Sequence, residues 1–282
     1  MNNCILICFD DNFFIYAKAC LNSFKANYPS HPLIKVLYFG NDPEVVNFLS
    51  RLERVERLDI DFDIMKYENL NRGYVGSPMA YARYVAWSDA FDAYDNVLYV
   101  DCDTIILKPF PEIFDRNNLF CVLDSSSETV FADGAERSAE CRNLLLQDGL
   151  SFENVNTSMI NSGFLLIPKK YRTLKHRNEL WDITTRYNKF AKHCDQSFIS
   201  VWCSKNKIAG STDLRYNFQL SFVLTETFFR VNPDAIKIMH FAFFKPNKNM
   251  HQILMPANFV IRSQNAFEKY LKLDVSSVNA LS

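Results

Sequence analysis

The chain of 282 residues is 48% hydrophobic and 22% charged, a composition typical of a globular protein with one large domain or two small ones. Its net charge of −1 gives no electrostatic argument for binding nucleic acid or an anionic membrane. No apolar run approaches the roughly 20 residues of a membrane span, and Met1-Asn2-Asn3 lacks the basic region of a signal peptide. We therefore expect a soluble, cytoplasmic protein.

The first fifty residues alternate between strand and helix patterns. Cys4–Phe9 is a continuous apolar run typical of a buried strand, and Leu33–Phe39, which is apolar except for Lys35, is predicted to be a second strand. Helical spacing follows each of them, over residues 14–28 and 44–52. This βαβ order predicts a parallel sheet with right-handed crossovers. Ligands of such sheets bind beyond the carboxyl ends of the strands, where Asp10-Asp11-Asn12 follows the first strand. The same three residues are suited to cap the next helix, and the two roles are compatible.

Weaker patterns continue along the rest of the chain. We predict further strands over residues 60–64, 97–100, 119–123, 164–168 and 236–241. We predict helices over residues 79–91, 139–147 and 171–190, from residue 193 onwards, and over 263–271. A turn is predicted over residues 161–163. The polar segment 125–157 is otherwise poorly patterned, which is typical of an insertion or of a mobile cover over an active site.

Two acidic residues follow the apolar run of residues 97–100. Asp101 and Asp103 are spaced i, i+2, so their carboxylates project to the same side if the chain stays extended, whereas Cys102 points the other way. Two like charges at the end of a buried strand are costly unless they are paired or bind a metal. A divalent cation would remove this conflict and would bring phosphates as its substrate class. We therefore hypothesise that these acids hold a metal that in turn holds a nucleotide diphosphate.

The candidate ligands restrict the choice of metal. Carboxylate and phosphate oxygens suit Mg²⁺ or Mn²⁺, and an imidazole as third protein ligand would favour Mn²⁺. His240 ends a predicted strand, where a ligand is expected, but a lone histidine is also common as a structural residue. Arg83 is similarly open, because its predicted helix places it either on a solvated face or near a bound phosphate.

Cysteine and glycine usage argue against other kinds of site. The eight cysteines are scattered among apolar neighbours without a C-x-x-C pair, which favours reduced core thiols over disulfides or zinc. Glycine occurs only 7 times, and neither G-x-G-x-x-G nor a Walker sequence is present. A glycine-rich phosphate loop is therefore not expected.

Six short motifs follow one another along the chain. They are Phe9-Asp10-Asp11-Asn12-Phe13, Tyr81-Ala82-Arg83-Tyr84, Val97 to Asp103 with Ile105, Leu107 and Phe114, Asn161-Ser162-Gly163, Asp195-Gln196, and His240-Phe241 with Lys245-Pro246. Each motif is weak alone, but in this order they resemble family 8 glycosyltransferases. This group includes glycogenin and the bacterial lipopolysaccharide galactosyl- and glucosyltransferases.

The resemblance implies a GT-A fold, which is an α/β fold with a Rossmann-like, mixed, mainly parallel sheet flanked by helices. The sequence shows no internal repeat, low-complexity tract or linker, so we expect one domain over residues 1–282. We divide it into a nucleotide-binding half (1–124), a sugar and acceptor half (125–262) and a C-terminal helix and tail (263–282). The resemblance also implies transfer of glucose, galactose or xylose from a UDP-sugar to a hydroxyl of a glycan or glycoconjugate. The cofactor would be Mn²⁺ or Mg²⁺. The family retains the anomeric configuration, while the residues themselves leave inversion open.

The resemblance also implies roles for individual residues. Asp101, Asp103 and His240 are expected to bind the metal. Asp195, Gln196 and Asp124 are expected at the catalytic centre, with Gln196 close to the anomeric carbon. Residues expected to contact the donor are Cys8, Asp10, Asn12, Arg83, Asp101, Cys102, Asn161, Ser162, Gly163 and Lys245.

Two features depart from the family pattern. Four residues separate His240 from Lys245, whereas five with a glycine among them are common, so Lys248 is an alternative phosphate contact. The segment 125–157 matches no family motif, so the acceptor is not implied.

Two other classes of protein remain as alternatives. A phosphatase with an aspartyl nucleophile in a D-x-D motif would need Thr or Val two residues past Asp103, where Ile105 stands, and a late acidic pair that is missing. A non-catalytic sugar-binding protein on a transferase fold would not need the intact acids. Only an activity measurement separates this last class from an enzyme.

Overall fold

The computed structural model describes residues 1–60, 69–70, 78–125, 135–150, 159–191, 193–221, 231–242, 245–246 and 257–273. The chain forms two compact units. The first unit comprises Met1–Asn2, Ile60–Leu98 and Arg116–Thr212, and the second unit comprises Asn3–Asp59, Tyr99–Asp115 and Asp213–Ser282. Among the helices of the described residues, none has the length and the apolar character needed to cross a membrane.

Strands and helices alternate along the chain. The strands are β1 (Asn3–Asp10), β2 (Leu33–Phe39), β3 (Val55–Arg57), β4 (Asn96–Val100), β5 (Thr104–Ile106), β6 (Phe120–Leu123), β7 (Ile160–Pro168), β8 (Phe218–Gln219) and β9 (Ile238–His240). The α-helices are α1 (Phe14–Asn27), α2 (Pro43–Ser50), α3 (Ala135–Gln147), α4 (Leu174–Tyr187), α5 (Asp195–Lys205) and α6 (Ala257–Lys272). The 3₁₀ segments used below are Asp11–Phe13, Pro78–Trp87, Asp89–Phe91, Asn188–Phe190 and Leu214–Tyr216.

The described strands form two sheets. The larger sheet has the order β3-β2-β1-β4-β7-β6, and the smaller sheet has the order β5-β9-β8. Strands β1, β2 and β3 are parallel, whereas β6 runs antiparallel to β7. A mixed, mainly parallel sheet with flanking helices confirms the predicted α/β class.

In the second unit, β1 is the buried strand that its apolar run predicts. It pairs with β2 in parallel from Cys4 opposite Leu33 to Asp10 opposite Phe39, and its residues 4–9 are buried. Helix α1 packs against α6 and β5. Asp10 therefore stands at the carboxyl end of a parallel pair, which is the side where ligands bind in such sheets.

In the first unit, β7 and α5 form the core. All residues of β7 are buried, and α5 packs against both β7 and α4. The rings of Trp87 and Trp202 meet edge to face with their centres 5.7 Å apart, and Tyr81 stacks on Phe198 at 6.4 Å. These aromatic contacts anchor the Pro78–Trp87 segment on α5.

Most predicted elements are confirmed with small shifts of their ends. The structure has β1, α1, β2, α2, β4, β6, α3, α5, β9 and α6 at the predicted places. Helix α4 begins at Leu174 rather than at Tyr171, because the Thr173 side chain caps the helix by accepting a hydrogen bond from His176 N at 3.3 Å. The helix α6 begins at Ala257, earlier than predicted.

The predicted helix over residues 79–91 is wrong in type. The structure has two 3₁₀ segments there, interrupted at Ser88, whose backbone is extended. Tyr81, Tyr84 and Trp87 are spaced three residues apart, and their ring centres lie 5.8 and 6.4 Å from one another in succession. A 3₁₀ helix places such residues on one face, so this row of edge-to-face aromatic contacts accounts for the tighter winding.

The predicted turn over residues 161–163 is also wrong. Asn161, Ser162 and Gly163 lie within β7, where Asn161 pairs with Val122 of β6. Burial of the strand and its pairing override the turn preference of an Asn-Ser-Gly sequence.

Some predictions lie outside the described residues. These are the strand over 60–64 except Ile60, residues 126–134 and 151–157 of the polar segment 125–157, and Lys248. The sequence analysis missed β3, whose Val-Glu-Arg sequence is short and charged, as is common for an edge strand. The division of residues 1–282 into functional halves at residue 124 stays a prediction.

Candidate functional site

In the second unit, a turn between two strands carries both predicted acidic ligands. Asp101 and Asp103 lie between the end of β4 and the start of β5. Strand β5 pairs antiparallel with β9, and this register places Thr104 opposite His240. The backbone of Phe241 also donates a hydrogen bond to the Asp103 carbonyl at 3.0 Å. The strand pairing therefore brings the late histidine to the acidic turn.

The three side chains converge on one point. His240 Nε2 lies 3.5 Å from Asp101 Oδ2 and 3.3 Å from Asp103 Oδ1. Each of the three residues offers one possible ligand atom, and these three atoms lie within 4.8 Å of one another. Asp103 and His240 are buried, and the Asp101 side chain is 22% exposed. This set of two carboxylates and one imidazole, partly open to solvent, suits Mn²⁺ or Mg²⁺.

Neighbouring groups hold two of the three candidate ligands, Asp101 and His240, in place. Tyr99 Oη donates a hydrogen bond to Asp101 Oδ1 at 2.6 Å, and Thr104 Oγ1 donates to the Asp101 carbonyl at 2.9 Å. His240 Nδ1 lies 2.9 Å from Asn217 Oδ1. Hydrogen bonds of this kind, from groups that do not themselves bind the metal, orient the metal ligands and are common around metal sites.

Lys245 brings a positive charge to the same place. Its Nζ forms an ion pair with Asp103 Oδ2 and donates a hydrogen bond to the Phe241 carbonyl at 3.1 Å. The ammonium group therefore offsets part of the acidic charge of the triad. An ammonium so placed is also suited to contact a phosphate.

The residues at the carboxyl end of β1 and directly after it have a role in the local structure. The Asp10 side chain caps the Asp11–Phe13 segment by accepting a hydrogen bond from Phe13 N at 3.2 Å, which confirms the capping interpretation. Asn12 is exposed, whereas Cys8 is buried. Donor contacts at Asp10, Asn12 and Cys8 stay a prediction, and at the buried thiol such a contact would use backbone atoms.

Cys102 is the residue between the two acids. Its side chain is buried, and this burial raises the pKa of the thiol well above its ordinary value. A neutral, buried thiol is a poor metal ligand, since the thiolate is the binding form. The predicted donor contact at Cys102 would therefore fall to its backbone.

The sequence analysis missed a tyrosine beside the β1 terminus. Tyr38 Oη donates a hydrogen bond to Asp11 Oδ1 and accepts one from Asp42 N at 3.0 Å. Burial, together with the bond to Asp11, raises the pKa of Tyr38 to about 12. Gly40 fits against this pair, because a Cβ at that position would overlap the Tyr38 hydroxyl and the Asp11 carboxylate. The phenol therefore fixes one carboxylate of the predicted donor-binding segment.

In the first unit, a second set of predicted residues forms a buried network. Asp124 Oδ2 accepts hydrogen bonds from Asn161 Nδ2 at 2.9 Å and from Gln196 Nε2 at 3.1 Å. Ser162 N donates to Gln196 Oε1 at 3.1 Å, and Gly163 N donates to Asn161 Oδ1 at 3.0 Å. The structure thus brings together five predicted residues from three elements. Carboxylate and amide groups in this arrangement are suited to bind vicinal hydroxyls.

Arg83 and Asp195 form a buried ion pair in the same unit. Arg83 Nε lies 2.8 Å from Asp195 Oδ2, and Arg83 Nη1 donates a hydrogen bond to Ser162 Oγ at 2.7 Å. Both side chains are at most 9% exposed. This placement differs from the solvated helix face that the sequence left open for Arg83. The predicted phosphate contact of Arg83 stays a prediction.

Asp195 begins α5 after an unusual residue. Cys194 has φ 49° and ψ −130°, a conformation that costs a non-glycine residue roughly 1–3 kcal/mol. The three positive-φ residues other than glycine in the described chain are Arg54, Cys194 and Lys207, and of these Cys194 alone adjoins a predicted site residue. Backbone strain of this kind is common where a functional side chain must be aimed.

The profile of glycosyl transferase family 8 matches residues 4–250. The chain belongs to this family. Its triad of Asp101, Asp103 and His240 lies within the matched range, as do the residues of the Asp124 network. We found no match among curated protein sequences.

Solved structures share the fold of this family 8 chain. The galactosyltransferase LgtC, determined with donor and acceptor sugar analogues, has a TM-score of 0.66 and 18% identity over 99% of this chain and 100% of its own. GlyE from Streptococcus pneumoniae TIGR4 has a TM-score of 0.62 and 18% identity over 97% of this chain and 62% of its own. Mouse xyloside xylosyltransferase 1 has a TM-score of 0.57 and 14% identity over 87% of this chain and 99% of its own. These similarities support the GT-A fold.

Proposed function

We propose that this family 8 chain transfers a sugar from a UDP-sugar to a hydroxyl of a glycan or glycoconjugate, with a divalent cation as cofactor. The observation that carries the proposal is the convergence of Asp101, Asp103 and His240, with His240 Nε2 within 3.5 Å of both carboxylates. A phosphate-binding cation accounts for two carboxylates on one buried turn. The family match supports sugar transfer over phosphate-ester hydrolysis.

The residues of the second unit would act on the diphosphate. Asp101, Asp103 and His240 would hold Mn²⁺ or Mg²⁺, which when bound offsets the negative charge that develops on the departing UDP. Lys245, already at the Asp103 carboxylate, would add a charge-assisted hydrogen bond to a phosphate oxygen. Asp10, Asn12 and the Asp101 side chain are proposed contacts of the nucleoside.

The residues of the first unit would act on a sugar. We assign Asp124, Asn161 and Gln196 to its hydroxyl groups, because each presents carboxylate or amide atoms and both amides donate a hydrogen bond to Asp124 Oδ2. Asp195 is held by Arg83 and would likewise accept a hydroxyl hydrogen. We assign Ser162 and Gly163 as backbone contacts of the sugar.

The proposed reaction retains the anomeric configuration. The bond between the anomeric carbon and the phosphate oxygen breaks, and UDP leaves with the electron pair. The acceptor oxygen bonds to the same face of that carbon and gives its proton to the departing diphosphate. Glucose, galactose and xylose are the proposed sugars. The anomeric configuration of the product is measured by proton NMR, from the coupling constant of its anomeric proton.

The proposal is tested by measuring UDP release. The purified chain is incubated with UDP-glucose, UDP-galactose or UDP-xylose, and with Mn²⁺, Mg²⁺ or a chelator. We expect release from one of these donors with Mn²⁺ and loss of release with the chelator. Hydrolysis of a generic phosphate ester without UDP release would instead indicate a phosphatase. Carbohydrate binding that needs no metal and gives no turnover would indicate a non-catalytic binding protein.

A further inference from the structure

Asn217 is fully buried beside the metal triad, yet it is none of the three ligands. It lies between the 3₁₀ segment Leu214–Tyr216 and strand β8. Strand β8 pairs in parallel with β9, and in this register Gln219 lies opposite His240. The backbone on one side of His240 therefore sets where the Asn217 amide can reach.

The amide reaches the ring nitrogen that faces away from the acids. Asn217 Oδ1 lies 2.9 Å from His240 Nδ1. An amide oxygen only accepts hydrogen bonds, so Nδ1 must carry the proton. In a neutral imidazole the other nitrogen, Nε2, then presents its lone pair. That nitrogen is the one at 3.5 Å from Asp101 and 3.3 Å from Asp103.

A neutral imidazole binds a metal only through an unprotonated nitrogen. The opposite tautomer, with a proton on Nε2, would turn an N–H toward the two carboxylates and would close the third ligand position. The hydrogen bond to Asn217 favours the open tautomer and also fixes the angle of the ring. Two independent needs of a metal site are thus met by one buried amide oxygen.

We propose that Asn217 is a positioning residue that holds His240 in the Nδ1-protonated tautomer and thereby sets the affinity of the triad for a divalent cation. The inference rests on the proposed function, since it assigns a role around the cation that this function needs. It concerns cation binding itself and involves neither the nucleotide nor the sugar.

The test compares two substitutions of similar size. Asn217→Asp keeps an acceptor at the same place, whereas Asn217→Leu removes it. Mn²⁺ binding to the purified full chain is measured by calorimetry without nucleotide, and folding is followed by circular dichroism. We expect Asn217→Leu to bind Mn²⁺ about 10- to 100-fold more weakly than the unsubstituted chain. We expect Asn217→Asp to bind within a few-fold of it or more tightly.

The outcomes separate this inference from the proposed function. Equal Mn²⁺ affinity of Asn217→Leu and the unsubstituted chain would overturn the inference and leave the metal site standing, as would an Asn217→Asp variant as weak as Asn217→Leu. Failure of the unsubstituted chain to bind Mn²⁺ or Mg²⁺ would overturn both.

A spectroscopic measurement covers the case in which the leucine variant does not fold. Long-range ¹H–¹⁵N spectra of the histidine-labelled chain without metal distinguish the two neutral tautomers. The His240 signal is assigned by its absence in His240→Gln. We expect the Nδ1-protonated pattern at alkaline pH, and an Nε2-protonated pattern would overturn the inference.

Discussion

Thr104 and His240 lie directly opposite each other across the antiparallel β5–β9 pair. Since Asp103 precedes Thr104, this single register position determines that the imidazole meets the acidic turn. A shift of one residue would turn the side chain of His240 to the other face of the sheet. The metal triad therefore depends on strand pairing between segments far apart in sequence, as well as on the D-x-D motif.

The first prediction concerns the buried carboxylate of the triad. Asp103→Asn keeps the size of the side chain but removes a negatively charged ligand that lies 3.3 Å from His240 Nε2. We expect metal-dependent UDP release to fall below detection while the far-ultraviolet circular dichroism spectrum is unchanged. Asp115→Asn, at an exposed position of the same unit, is the matched control and should retain activity. Undiminished turnover of Asp103→Asn would refute the site assignment.

The second prediction concerns the ammonium group beside the triad. Lys245 is paired with Asp103, so its charge repels any cation that binds the same carboxylate. Lys245→Met should therefore bind Mn²⁺ more tightly without nucleotide, yet bind UDP more weakly when Mn²⁺ is saturating. Calorimetry measures both affinities. Lys269→Met, on the exposed side of α6, makes the same change in net charge and should alter neither. If Lys245→Met weakened Mn²⁺ binding, the electrostatic argument would be wrong.

The third prediction concerns the buried pair of the first unit. Arg83→Met removes the ion pair with the buried Asp195 carboxylate and should lower the free energy of unfolding by about 3–5 kcal/mol. Arg83→Met combined with Asp195→Leu should cost less than the single change. Urea unfolding measures both. The exposed pair of Arg215 and Asp213 supplies the control, because Arg215→Met should cost about 1 kcal/mol or less. Equal costs at the two arginines would contradict the argument.

The fourth prediction concerns acid stability. His31 is buried between Phe24 and Tyr28, and this burial lowers the pKa of its imidazole below 6.5. The unfolded chain then binds the proton at His31 more readily than the folded chain does. Protonation of His31 therefore favours unfolding, and the free energy of unfolding falls as the pH falls below 6.5.

His31→Gln removes the titrating group and still offers an amide hydrogen to the Pro32 carbonyl. The urea midpoint should fall between pH 7.5 and pH 5.5 in both chains, and by less in the variant. Each chain is compared with its own urea midpoint at pH 7.5, where His31 of the unsubstituted chain is mostly neutral in the folded and unfolded states. An identical pH dependence in the two chains would show that His31 does not contribute.

The sequence predicted the parts of the fold that depend on neighbouring residues. The apolar runs of β1 and β4 are uninterrupted, and Lys35 alone interrupts the run of β2, so burial alone specifies these strands. The triad was predicted from the D-x-D motif and the family resemblance, and the structure brings its three members together. These predictions needed only local pattern and the order of motifs.

Features that depend on long-range pairing were not predicted. Asn161-Ser162-Gly163 has the composition of a turn, but it lies in the buried strand β7, which has β4 and β6 as neighbours in the sheet. The 3₁₀ winding of the Pro78–Trp87 segment depends on aromatic contacts of Tyr81 and Trp87 with Phe198 and Trp202 of α5. Asn217 gave no local signal of its link to His240, because the contact is created by the β8–β9 register.

All eight cysteines are buried, and none of them forms a disulfide. Burial raises the pKa of Cys20 and of Cys141 to about 12, so these two thiols carry almost no thiolate at neutral pH in the folded chain. A thiol reagent can therefore react with these cysteines only after local or global unfolding exposes them, and the rate of alkylation measures how often such unfolding occurs. The chain carries its own set of probes in both units, and mass spectrometry after brief alkylation would rank the units by how often each one unfolds.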